Sequence, residues 1–149
     1  MRHAVRAIIV KDDQLLVMDR DKFGVKYCAL VGGGIDPGET AEQALMRELS
    51  EETSLTVGES RVVIVEDAGQ IYGMQYIYLC QYVGGEPMLS PESEEYAINA
   101  LGQNLYTPKW LPIADLPTTN FLPKELKQVL IDHIVSGWPI EPIELTIED

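Results

Sequence analysis

The segment GGGIDPGETAEQALMRELSEETSL, residues 32–55, constrains this chain more than any other, because it crowds Glu48, Glu51 and Glu52 onto adjoining turns of one helix. It holds six acidic side chains against a single arginine. Asp36-Pro37-Gly38 signals a turn, and Thr40 with Gln43 makes a capping-box pattern, so the helix is expected to begin at about Ala41. At about 100° per residue, Ala41, Leu45 and Leu49 share an apolar stripe, while Gln43, Arg47 and Ser50 lie opposite, toward water. Measured from Leu45, Glu52 projects at about −20°, Glu48 at about −60° and Glu51 at about −120°. Two of the three carboxylates therefore share the inward half of the helix, and the third borders it. A solvated run of charge is the usual meaning of clustered glutamates, but a solvated run points outward. Inward carboxylates repel one another and lose hydration. Arg47 is one charge on the other side, better placed to pair sideways with a loop carboxylate. A hard divalent cation held by several carboxylate oxygens removes both costs.

Around this helix the chain reads as strands. AVRAIIV and QLLVMD flank the polar turn Lys11-Asp12-Asp13 as a hairpin, VKYCALV is a third strand stopped by the glycines, and RVVIVED and MQYIYLCQYV follow. Residues 84–107 read as a long acidic loop of the kind that carries function, and KWLPI as a short last strand. PKELKQVLIDHIVSG has helical periodicity, with Pro123 early and Gly137 as its stop. The tail, about 137–149, is broken by prolines and is expected to be either loosely held or packed along the surface. This order predicts a single α/β domain over residues 1–149, an α/β/α sandwich with a mixed β-sheet.

The net charge of −13 argues against a nucleic acid polymer as partner, since polyanion binding needs clustered Lys and Arg. It leaves room for a small phosphate ligand that arrives with a cation. No run is long and apolar enough for a membrane span, and the N-terminus lacks the pattern of a secretory signal. Cys28 and Cys80 sit in apolar strands and read as core thiols, which places the chain in a reducing cytoplasm.

The same segment resembles the signature of the Nudix hydrolase family, Gx5Ex7REUxEExGU with U a bulky aliphatic. Gly33, Glu39, Arg47-Glu48-Leu49, Glu51-Glu52 and Leu55 match, and Ser54 stands where the family has glycine. That glycine ends the helix at positive φ, so serine costs about 1 kcal/mol if the conformation is kept. The resemblance implies the fold already expected. It also implies hydrolysis of a diphosphate linkage in a nucleoside diphosphate-X substrate, with Mg²⁺ or Mn²⁺ held by Glu48, Glu51 and Glu52 and by a carbonyl of Gly32 or Gly33. Arg47 would orient a box glutamate and Glu39 would steady the loop. The proton acceptor would be a box glutamate, Glu51 or Glu52, or come from the distal loop, where Glu94 and Glu95 stand; solvated loop charge is the plain alternative for those two. A homodimer is an option in this family, though no apolar stripe here demands one.

Other residues carry two readings. Gly32-Gly33-Gly34 either cradles phosphate with its backbone or simply connects strand to helix. Arg20, Lys22 and Lys26 flank a hairpin end and either meet a phosphate or are surface charge. Tyr72 lies 17 residues past the box, where family members acting on dinucleoside polyphosphates tend to carry a tyrosine that stacks on a base. The proline that ADP-ribose hydrolases carry nearby is replaced by Gln70 or Ile71, which disfavours ADP-ribose. Tyr76, Tyr78, Tyr82 and Trp110 read as core, and His3 and His133 as structural. A nucleoside triphosphate, intact or oxidised, cleaved to monophosphate and pyrophosphate, is the first expectation; dinucleoside polyphosphates, nucleotide sugars and ADP-ribose are alternatives. An isomerase on the same fold lacks its cysteine and histidines here, and a non-catalytic nucleotide sensor would have lost box glutamates that this chain keeps.

Overall fold

The computed structural model describes residues 1–148. Strands β1 (His3–Lys11), β2 (Gln14–Lys22), β3 (Val25–Ala29) and β4 (Val31–Gly34) precede helix α1 (Ala41–Glu52). Then come β5 (Thr56–Asp67), the short helix α2 (Gly69–Tyr72), β6 (Met74–Gly84), α3 (Glu94–Asn99) and β7 (Asn104–Pro112). A 3-10 segment, Ile113–Thr118, leads to α4 (Lys124–His133) and β8 (Ile143–Thr146). The strands form one mixed sheet in the order β3-β2-β1-β6-β5-β8, with β4 beside β1 and β7 beside β2. The pairs β1–β6 and β5–β8 are parallel, and the rest are antiparallel.

Strand alternation divides the interior in two. Val5, Ala7, Ile9, Val31 and Tyr78 pack under Leu45 and Leu49 of α1. Ile8, Ile64, Ile77 and Phe121 pack under Leu126 and Leu130 of α4. Because successive side chains of a strand point to opposite faces, one apolar strand supplies both layers, and the α/β/α sandwich follows. Cys28 and Cys80 are buried, free thiols. No helix among the described residues is long and apolar enough to cross a membrane.

Two expectations need correction, and a third is resolved. VKYCALV is two strands: β3 stays with β2, and past Leu30 the chain changes partner so that β4 pairs with β1. The glycines extend that strand rather than stop it. Gly32 has φ +144, and a Cβ there would fall 2.0 Å from the Val5 carbonyl, so only glycine lets β4 lie this close to β1. Residues 84–107 are not a bare loop, since they hold α3 and the start of β7, and the short strand at KWLPI is the end of a strand that pairs along all of β2. Of its two expected placements the tail takes the packed one. After its prolines it forms β8, where Ile143 lies opposite Ile64 and covers the free edge of β5.

Candidate metal centre

The site begins with the cap of α1. Thr40 Oγ1 accepts from the Gln43 N–H at 3.1 Å, and Gln43 Oε1 accepts from the Thr40 N–H at 2.9 Å, which closes the capping box. One residue earlier, Glu39 Oε1 accepts from the Asp36 N–H at 2.8 Å and fixes the turn before the helix. Arg47 joins that turn to the helix. Its Nε and Nη2 donate to the two oxygens of Glu39 at 2.8 and 2.9 Å, Nη2 donates to the Gly34 carbonyl at 3.0 Å, and Nη1 donates to Glu48 Oε1 at 2.9 Å. The helical position points it toward water, yet the long stem folds back along the helix, so only 28% of the side chain is exposed. The paired fork from Arg47, then the Asp36 N–H, drops the Glu39 carboxyl to about 2, and Glu39 in turn drives the Arg47 guanidinium up.

Glu48 and Glu52 are buried, at 7% and 5% exposure. Glu48 lies over Gly33, where a Cβ would sit 2.4 Å from its Oε1. Burial raises its carboxyl despite Arg47. Glu52 Oε1 accepts from the Gly32 N–H at 2.8 Å. Its carboxyl is pushed up to about 8, first by burial, with Glu48 and Glu95 adding repulsion and the Gly32 N–H and Arg6 opposing it. Glu95 comes from α3, whose cap is Ser93 Oγ accepting from the Tyr96 N–H at 3.1 Å. Oxygens of Glu48, Glu52 and Glu95 lie within 4.8 Å of one another, and Glu95 Oε2 is buried with no hydrogen-bond partner. Three converging hard-oxygen donors, one unpartnered and two resisting ionisation, fit a divalent cation.

The end of α1 brings Glu95 in. The last carbonyls of a helix have no partner within it. Here the Glu51 carbonyl accepts from the Ser90 N–H at 2.8 Å and the Thr53 carbonyl from the Met88 N–H at 2.9 Å. Ser54 keeps the positive φ of the family glycine, +59, and its Oγ donates to the Met88 carbonyl at 2.7 Å. These ties dock the segment before α3 against the helix end.

Of the remaining candidates, Glu51 is half-buried, with Oε2 3.5 Å from Arg47 Nη1, and is not among the three converging carboxylates; Glu94 is exposed. Gly32, Gly33 and Gly34 all border the site, through Glu52, Glu48 and Arg47 in turn. Arg20 commits its guanidinium to the protein: it bonds Asn104, Tyr27 and the Leu105 carbonyl and lies 3.6 Å over the Tyr106 ring. Lys22 and Lys26 are exposed on the hairpin, and Tyr72 is exposed at the end of α2. Sequence reading missed Arg6, whose charge acts on both Glu52 and Glu48. The signal was a lone arginine inside the apolar run AVRAIIV.

A family model describing the NUDIX domain matches residues 1–130. The NAD-capped RNA hydrolase NudC of Pseudomonas putida (strain W619) is 28% identical over 141 residues, covering 91% of this chain and 46% of that protein. An ADP-ribose pyrophosphatase of Methanocaldococcus jannaschii is 31% identical over 99 residues, 62% of this chain and 57% of that one. The chain thus spans less than half the length of the NudC relatives it matches. Among solved structures, a MutT NUDIX hydrolase from Burkholderia pseudomallei superposes with TM-score 0.66 at 22% identity, covering 89% of this chain and 97% of that one. At that identity the likeness speaks for the fold.

Proposed function

This chain belongs to the NUDIX domain family, and from that premise we propose that it is a divalent-metal-dependent pyrophosphohydrolase acting on a small nucleotide. The observation that carries the reading is the convergence of Glu48, Glu52 and Glu95 within 4.8 Å beside a glycine-lined strand end. These three would hold Mg²⁺ or Mn²⁺, with the Gly32 or Gly33 carbonyl as a further ligand. When bound, the cation supplies charge neutralisation on the phosphate oxygens and a more acidic water. The chain does the rest. Glu39 and Arg47 hold Glu48 in place, so the donors are set before substrate arrives. The Gly32 N–H fixes one oxygen of Glu52. Glu95 Oε2, without a protein donor, accepts the proton of the attacking water. The Arg47 contact orients Glu51 as an outer carboxylate.

For the substrate, a nucleoside triphosphate cleaved to monophosphate and pyrophosphate is the first choice. The lack of the proline found in ADP-ribose hydrolases favours it over ADP-ribose. The names of the relatives point to NAD-capped RNA and ADP-ribose, so both belong in the test. Turnover of a nucleotide panel with and without Mg²⁺, read by chromatography of products, tests the reading. Glu52→Gln is expected to lose about a hundredfold or more in kcat with the fold retained. Rates in that variant equal to those of the wild type refute the role given to Glu52.

A further inference from the structure

The turn between β2 and β3 carries a strain that nothing within the chain offsets. Lys22 pairs with Val25, so the turn is the two residues Phe23-Gly24, and both have positive φ, 52 and 89. A two-residue turn of this hand favours Asn or Asp before Gly, because a bulky side chain is crowded in the left-handed region. Phe23 is 66% exposed, so its ring buries little against its own chain. The Phe23 N–H donates to the Gln103 carbonyl at 2.8 Å, which lays the turn after α3 beside the hairpin. On that second turn Leu101 is 78% exposed, and Val25 is exposed at the head of β3. Three apolar side chains thus project from two adjoining turns. Lys22 and Lys26, both exposed, flank them, and among the described residues neither makes an ion pair.

A second surface has the complementary chemistry. The outer face of α1, the start of β5 and the segment before α3 enclose a cleft of about 550 Å³, lined by Met46, Leu49, Leu55, Val57, Met88 and Pro91. Met46 and Met88 are exposed, and methionine side chains reshape around whatever they meet. The surroundings are acidic. Residues 48–60 and 62–108, which build most of the walls, contain no Lys or Arg. Glu92 adjoins Pro91 and Glu42 stands about one helical turn before Met46, both exposed. From Pro91 the chain enters α3 and leaves it for Leu101, so cleft, α3 and tip follow one another along residues 88–103. α3 buries none of its own residues and leaves Tyr96 exposed. We infer that two copies of this chain pair about a two-fold axis through α3, the tip of Phe23, Val25 and Leu101 on each entering the methionine cleft of the other, with Lys22 and Lys26 against Glu42 and Glu92. Two-fold pairing needs such a self-complementary surface, in which each patch meets its counterpart on the other copy. The apolar tip supplies the buried centre, and opposite charge around it fixes the register. The pairing needs neither metal nor substrate and stands apart from the hydrolase reading. It grips the segment that carries Glu95.

The test is sedimentation velocity on the whole protein from about 1 µM to about 200 µM, without nucleotide. A monomer–dimer equilibrium with a Kd of about 10 µM is expected, with no larger species. Raising NaCl from about 0.05 M to about 0.5 M should weaken it about tenfold. Phe23→Asn gives the turn its preferred residue and removes the ring. It should raise the melting temperature by a few degrees at about 1 µM, where the protein is monomeric, and weaken the dimer about tenfold or more. Met46→Lys keeps a good helix former on α1 but sets a cation in the cleft against Lys22 and Lys26, and should weaken the dimer about as much. A protein still monomeric at about 200 µM overturns the inference. So does a dimer that either folded variant leaves at wild-type affinity, and so does growth into open chains, which means a head-to-tail contact. A lower melting temperature in Phe23→Asn removes the strain on which the pairing rests and overturns it as well. If Phe23→Asn does not fold, Met46→Lys decides alone. A monomer in which Phe23→Asn weakens nucleotide binding assigns the tip to the nucleotide instead.

Discussion

Glu52, the last residue of α1, and Glu39, two residues before its first, titrate in opposite directions. Glu52 has a carboxyl pushed up to about 8, above its unfolded value of about 4.3. The folded state therefore keeps a proton that the unfolded state has released. The stability tied to that proton is fully present below about pH 4.3 and is lost as pH rises through about 8. Glu48 and Glu66 shift the same way, for the same first cause, burial. Glu39, held at about 2 by the Arg47 fork, has the other sign: its contribution is present above the ordinary carboxylate range and is lost as pH falls through about 2. Calorimetry on protein freed of metal should thus show a melting temperature that falls between pH 5 and pH 8.5. Millimolar Mg²⁺ should raise it at pH 8.5 and far less at pH 5, where protons occupy the same oxygens. Glu52→Gln should flatten the pH slope and blunt the Mg²⁺ response. A response to Mg²⁺ equal at both pH values contradicts this account of the burial.

At the scale of elements, α1 is what the sequence specified most fully. Its first residue, its capping box, its apolar stripe and the inward tilt of Glu48 and Glu52 all follow from local chemistry, because each depends on residues within a turn or two. What stayed illegible depends on residues far apart. Nothing within VKYCALV says that the chain will exchange β2 for β1 at Leu30, and only the collision of a Cβ at Gly32 with the Val5 carbonyl shows why. Glu95 was legible as a candidate, but its convergence with α1 rests on bonds from Met88 and Ser90 to the helix end. Ser54 is the hinge of that arrangement and allows a direct test. Ser54→Ala keeps the strained φ and loses the bond to Met88, and should cost about 1 kcal/mol in urea unfolding. Ser54→Gly loses the bond but relieves the backbone, so it should stay within about 0.5 kcal/mol of the wild type. A large loss in the glycine variant shows instead that the hydroxyl, not the backbone, fixes the turn.

For the molecule as a whole, the two helical layers meet through β1, which pairs with β4, β6 and the start of β2. The far edge is closed only at the end of the chain, where β8 lies along β5 and Trp138, Ile143 and Leu145 pack on the layer under α4. Ending the chain after Ser136 should therefore lower the melting temperature by several degrees and promote association through the bared β5 edge, seen by light scattering. An unchanged melting temperature means that the strand is decoration. One crowded position, finally, separates architecture from chemistry. Gly33 has an ordinary backbone conformation, and what an added methyl group would strike is the movable end of Glu48. An alanine there can be housed by swinging that carboxylate aside, with the sheet undisturbed. Such a molecule would retain every acidic residue, fold as before, and have lost one corner of its ion cradle.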